Sequence, residues 1–139
     1  PLDHPRMTTT PPTPPQEPAE GTPAAITLPP MRHKTVLVID LVESVRLMAA
    51  NEAQVVALWR GFVQFATTEV LPARGGRLVK SLGDGLLAEF EHPAQAVRAA
   101  LELHRHFDTA NRSLPAAQQL YLRAGVNATQ LYVDDVDVY

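Results

Sequence analysis

The sequence predicts an α+β domain with a ferredoxin-like βαββαβ core built on an antiparallel sheet. Three observations predict it. A short, mostly β-branched apolar run fills residues 35–41 (TVLVIDL). Two further runs, 77–82 (RLVKSL) and 86–90 (LLAEF), flank Gly83-Asp84-Gly85, and an Asp-Gly pair between apolar runs is a strong hairpin signal. Two stretches of helical apolar spacing separate these strands from one another and from a last run at 120–126 (LYLRAGV). The order strand, helix, strand, strand, helix, strand is the split βαβ arrangement.

Each element has its own local reason. The run at 35–41 has no polar alternation, as expected of a central strand covered on both faces. Asn51 followed by Gln54 resembles a capping box. From there Val55, Leu58, Trp59, Phe62, Val63, Ala66 and Val70 recur at helical spacing, and Trp59 and Phe62 read as core. Ala73-Arg74-Gly75-Gly76 reads as a turn into the hairpin. Pro93 suits the first turn of the second helix. Ala96, Val97, Ala100, Leu101, His104 and Phe107 are expected to line one face of it. Residues 112–117 read as a polar loop, and 131–139 as the beginning of one more strand.

Residues 1–33 form a region of different character. Ten of the thirteen prolines lie in residues 1–30, with few large apolar side chains. Such a stretch buries too little apolar surface to offset the entropy of ordering, so a disordered tail is expected there and a folded domain over 34–139. Met7 and Met31 are both candidate starts.

Bulk composition narrows the function classes. A net charge of −3 over 139 residues gives no polyanion-binding surface, so nucleic acid is not an expected partner. The absence of cysteine excludes disulfides and thiolate zinc sites. No apolar run approaches the roughly 20 residues that span a bilayer. No secretory pattern opens the chain, so a cytoplasmic location is expected.

Two aspartates stand out. Asp40 ends an otherwise apolar strand, where a carboxylate costs several kcal/mol unless it is paired or bound to a cation. Asp84 sits at the hairpin tip. In the split βαβ order the first strand lies antiparallel beside the third, so the topology brings both residues to one edge of the sheet. Adjacent carboxylates repel, and an oxygen-preferring divalent cation resolves the repulsion. Glycines at 83 and 85 would let a phosphate chain approach the backbone. Taken singly, Asp84 also reads as a plain turn residue and Asp40 as a helix cap.

The segments that carry these residues resemble a known family. Residues 38–47 (VIDLVESVRL) are similar to the strand and "DIVGSTRL"-like loop of class III nucleotidyl cyclase catalytic domains of bacterial type. Residues 78–85 (LVKSLGDG) resemble that family's "VKTIGDG" hairpin, residues 122–127 (LRAGVN) its "LRVGIH" strand, and residues 136–139 (VDVY) its "DIYG" segment. The resemblance covers about residues 34–139.

The resemblance implies an adenylate cyclase that converts ATP to cyclic AMP and pyrophosphate with two divalent cations, Mg2+ or Mn2+, at a homodimer interface. Asp40 and Asp84 match the catalytic metal-binding carboxylates, and the Leu41 carbonyl a further metal ligand. Val42, Glu43, Ser44 and Val45 match the loop that holds the triphosphate. Lys80 and Asp137 match the purine-reading pair, and lysine with aspartate is the family's adenine-selecting combination. The family draws metal residues from one chain and base-reading residues from the other.

There are departures. Glu43 stands where the family often has glycine, Val45 where it often has threonine, and Thr129 or a neighbour where a glycine is common. The sequence ends before the asparagine and arginine that the family uses on the ribose and the transition state, so the isolated fragment is expected to be inactive. An inactive cyclase-like nucleotide-binding or regulatory dimerisation module is the alternative. A diguanylate cyclase is a weaker match, because its hairpin usually carries consecutive acidic residues.

Overall fold

The structure, a computed structural model, describes residues 26–139. The proline-rich stretch expected to be disordered lies, up to residue 25, outside the described residues. Strand β1 covers Met31–Leu41, helix α1 Ser44–Phe65, strand β2 Gly76–Leu82 and strand β3 Gly85–Phe90. Helix α3 covers Pro93–Asn111 and strand β4 Leu122–Tyr132. Between α1 and β2, a π-helical turn over Ala66–Val70 leads into the three-residue α2, Leu71–Ala73. There Thr67 and Thr68 donate their hydroxyls to the carbonyls of Val63 and Gln64, both at 2.9 Å, a side-chain competition for backbone acceptors that loosens the helical ladder.

The four strands form one antiparallel sheet in the order β2-β3-β1-β4. This is the split βαβ order, with β1 central and beside β3 as expected. Leu37, Ile39 and Leu41 of β1 and Leu86, Ala88 and Phe90 of β3 point to the helical side and are buried. They pack against Val55, Trp59 and Phe62 of α1 and Ala96, Ala99, Leu103 and Phe107 of α3. Phe62 is fully buried and stacks on Phe107 with ring centroids 4.8 Å apart. Trp59 and Phe62 are thus core, and burying a side chain of this size contributes roughly 1.5–3 kcal/mol.

The elements differ from expectation in four places. β1 begins at Met31, so the boundary set at residue 34 falls inside the strand; pairing with β4 runs all the way from Met31↔Tyr132 to Leu41↔Leu122. α1 begins at Ser44, and Asn51 lies inside it with a non-helical backbone (φ −159°, ψ 78°). Half of the capping box forms: the Gln54 amide donates to Asn51 Oδ1 at 3.3 Å, while Gln54 Oε1 accepts from the Asn51 side-chain Nδ2 at 2.9 Å rather than from its backbone amide. It starts the second half of a kinked helix rather than the helix itself. On α3 the buried stripe is Ala96, Ala99, Ala100, Leu103 and Phe107, while Val97 and Leu101 are about half exposed. Residues 131–139 do not open a separate strand. β4 runs unbroken to Tyr132, and the chain then folds back through a single Val133↔Val138 bridge, its turn held by Asp134 Oδ1 accepting the Val136 and Asp137 amides at 2.7 Å each.

Candidate active site

The β1–β3 register places Asp40 opposite Gly85, and the Leu41 amide donates to the Asp84 carbonyl at 2.9 Å. The end of β1 and the hairpin tip therefore meet, as the topology predicted. The amide and carbonyl of a strand residue point toward the same neighbour, so the Leu41 carbonyl lies on the Asp84 side. Gly83 takes φ +50°, a left-handed conformation that only glycine adopts without penalty, and this makes the tight tip possible. Gly85 has another cause than phosphate approach. It is buried between strands, and a Cβ there would lie 3.1 Å from the Ile39 carbonyl.

The two carboxylates differ. Asp84 is half-buried and makes no side-chain hydrogen bond or ion pair among the described residues. Asp40 is held in a fork by Arg123, with Nε to Oδ1 at 3.1 Å and Nη2 to Oδ2 at 2.7 Å. That pairing holds the Asp40 carboxyl below its usual range and raises the guanidinium. Together the two carboxylates and the Leu41 carbonyl offer hard oxygen donors only, which suits Mg2+ or Mn2+. Among the described residues no three acidic, histidine or cysteine side chains are grouped so as to hold a metal ion. A divalent ion here would thus rely on two carboxylates, a backbone oxygen and its other ligands.

The loop after β1 is pinned at Val42, whose amide donates to Tyr121 O at 2.8 Å. Glu43, at the N-cap of α1, has φ 54° and ψ 34°. This left-handed backbone is strained for a side chain and easy for glycine, which accounts physically for the glycine common at this place in the family it resembles. The Glu43 carboxylate is exposed and paired with Arg46 at 2.8 Å, which holds its pKa low. Ser44 and Val45 line, with Met48, Trp59, Gly83 and Asp84, a groove of about 600 Å³. The expected phosphate loop and the hairpin tip therefore share one cavity. Glu43→Gly is expected to stabilise the fold by about 0.5–1 kcal/mol, the relief of left-handed strain less the extra freedom of glycine in the unfolded chain. Thermal melting would show a midpoint about 3–5 °C higher; a lower one would show that the Arg46 pair outweighs the strain.

Lys80 and Asp137, far apart in sequence, form an ion pair. The Asp137 carboxyl is 13 % exposed and lies below its ordinary range because Lys80 hydrogen-bonds to it, with the Val138 amide donating to it at 2.8 Å. A β-bulge aims the lysine. Leu78 pairs with Ala88 and Lys80 with Leu87, so Val79 is the extra residue. Without the bulge, strict alternation would send Lys80 to the buried side with Leu78. With it, Lys80 shares the helix-free face with Val38, Asp40 and Arg123. Val38 there is 50 % exposed. Sequence reasoning singled out Lys80, Asp137, Asp40, Asp84 and the Val42 to Val45 loop, but gave no role to Arg123 and did not see the bulge. The partner of Asp40 becomes visible only once β1 and β4 are aligned.

No family model matches the chain. Over 108 residues it is 32% identical to "Putative adenylate cyclase 3" of Rhizobium meliloti (strain 1021), a match covering 78% of this chain and 18% of that protein. The chain therefore spans under a fifth of the length of this curated relative. Among solved structures it superposes on an adenylate/guanylate cyclase/hydrolase from Silicibacter pomeroyi with a TM-score of 0.70 at 27% identity, covering 79% of this chain and 64% of that one. A bacterial light-regulated adenylyl cyclase matches with a TM-score of 0.64 at 20% identity, covering 74% of this chain and 56% of that one. The guanylyl cyclase Cya2 matches with a TM-score of 0.62 at 17% identity, covering 81% and 64%. The last two likenesses speak to the fold alone.

Proposed function

We infer, from the premise that the chain belongs to the adenylate/guanylate cyclase catalytic-domain family, that it works as an adenylate cyclase domain. It would convert ATP to 3′,5′-cyclic AMP and pyrophosphate at a homodimer interface, in signalling inside the cell. One observation carries the choice of ATP: the pairing of Lys80 with Asp137 on the helix-free face. Asp137, held ionised, offers only acceptors, and Lys80 offers only donors. Adenine presents an amino donor beside a ring acceptor and so matches both.

Asp40, Asp84 and the Leu41 carbonyl would hold the divalent cations. When bound, two such ions activate the attacking hydroxyl and neutralise the departing pyrophosphate. The residues of the chain itself position the nucleotide. The Val42 to Val45 loop opens α1, whose first amides and dipole favour a phosphate. The hairpin tip keeps Asp84 beside the same groove. Asp40 and the purine pair share one sheet face, which no described helix covers, and a second copy laid on it would bring the carboxylates of one chain to the base-reading pair of the other. Exposed Val38 and Leu82 support that contact. Among the described residues no helix is long and apolar enough to cross a membrane.

A second reading, a cyclase-like binding or dimerisation module without turnover, is favoured by the strained Glu43 in the phosphate loop. Turnover by the full-length protein with Mn2+, offered ATP and GTP in parallel, tests both. Cyclic AMP in excess of cyclic GMP is expected. No product from a folded dimer that still binds an ATP analogue would establish the second reading.

A further inference from the structure

We propose that Arg123 is the built-in counter-ion of the cation site, and that a divalent ion must displace it from Asp40 in order to bind. The inference rests on reading Asp40 as a metal ligand. The β1–β4 register sets Asp40 directly opposite Arg123, on the same face. The guanidinium fork engages both carboxylate oxygens, at 3.1 and 2.7 Å, the geometry in which arginine and carboxylate bind best. Arg123 has no other hydrogen-bond or ion-pair partner among the described residues. Among the same residues Asp84 has none, so the two carboxylates are unequal: one is open and the other already neutralised.

Three features make Arg123 a competitor rather than a permanent brace. Its side chain is 76 % exposed and that of Asp40 is 37 % exposed, so the pair can part without disturbing the core. Exposed ion pairs are weak, so a metal ion can overcome this one. Arginine does not lose its proton at any working pH, so only another cation can take its place. Without metal, Arg123 neutralises the Asp40 carboxylate. With metal, the guanidinium leaves that carboxylate and becomes a free cation at the same sheet edge.

The test is a titration of the full-length protein with Mn2+ alone, bound metal being followed by water-proton relaxation. Arg123→Gln is expected to bind Mn2+ about 2- to 5-fold more tightly than the unmodified chain, since a weak exposed competitor has been removed. Arg123→Lys, which keeps the charge but loses the fork, should fall between the two. The Arg123 Nε–H resonance should shift on addition of Mg2+. Asp40→Asn separates the two levels of the inference. If it weakens Mn2+ binding while Arg123→Gln leaves binding unchanged or weaker, the competition is overturned and the metal reading stands. If it leaves Mn2+ binding unaltered, the metal reading fails and the competition with it. Matching thermal midpoints among the variants would exclude misfolding as the cause.

Discussion

On the proposed function, Asp84→Ala in the full-length protein is expected to leave a folded protein whose cyclic-nucleotide production falls by roughly 10²- to 10³-fold. A metal ligand supports several kcal/mol of transition-state charge, and each 1.36 kcal/mol is about tenfold in rate. The fold has little reason to suffer. The Asp84 side chain has no hydrogen bond or ion pair among the described residues. The contact that ties the tip to β1, from the Leu41 amide, ends on the Asp84 backbone carbonyl. The turn itself depends on Gly83, with its φ of +50°. A stability change within about 0.5 kcal/mol is therefore expected, as for a surface site away from special features. Asp40→Ala should lose comparable activity, but it leaves Arg123 without its partner, so the two variants differ in salt dependence of stability rather than in rate. Product formation with Mn2+, read alongside a thermal melt, checks both. An Asp84→Ala protein retaining a tenth of the original rate would remove Asp84 from the metal site.

What could be read in the sequence divides along a physical line. Signals that act within a few residues were legible: the Asp-Gly hairpin, the proline opening α3 and the Asn51–Gln54 box. The last also shows the limit of a local signal, because a capping box says that helix follows and nothing about what precedes it. Here another helical segment precedes it, from Ser44. Topology was legible because few arrangements suit the order of elements, and this alone brought Asp40 to Asp84. Cross-strand register was not. The Asp40–Arg123 fork depends on aligning β1 with a strand 83 residues away, and the face of Lys80 depends on one extra residue, Val79, in β2. Neither leaves a mark in apolar periodicity, since the run Leu78-Val79-Lys80-Ser81-Leu82 alternates acceptably in either register. The left-handed backbone of Glu43 was hidden for a related reason. A glutamate does not advertise positive φ, and only the resemblance pointed to a place where glycine would be easier.

Reversing the polarity of the purine pair should exchange the nucleotide. Guanine carries an acceptor, O6, where adenine has its amino donor, and ring and amino donors where adenine has an acceptor. Against GTP, Asp137 would therefore set acceptor against acceptor, and Lys80 donor against donor. A donor or acceptor left unmatched against the base weakens binding of the wrong nucleotide, so the unmodified pair should prefer ATP by roughly 10²-fold. The double variant Lys80→Glu with Asp137→Ser supplies an acceptor for the guanine ring donors and a hydroxyl donor for O6. It also removes the ion pair, leaving at position 80 a single carboxylate that the guanine ring donors would meet. The ratio of kcat/KM for ATP to that for GTP is expected to shift toward GTP by about 10²-fold. The single variants should lose ATP turnover without gaining GTP turnover. In particular, Lys80→Glu alone sets two carboxylates against each other where an ion pair now stands. Because Lys80 and the Val138 amide keep the Asp137 carboxyl below its usual range, the unmodified preference for ATP should persist as pH falls through the ordinary carboxylate value of 3.8, as far as the fold survives. An unchanged nucleotide ratio in an active double variant would mean that the purine is read elsewhere, and that the Val79 bulge serves the Lys80–Asp137 bridge alone.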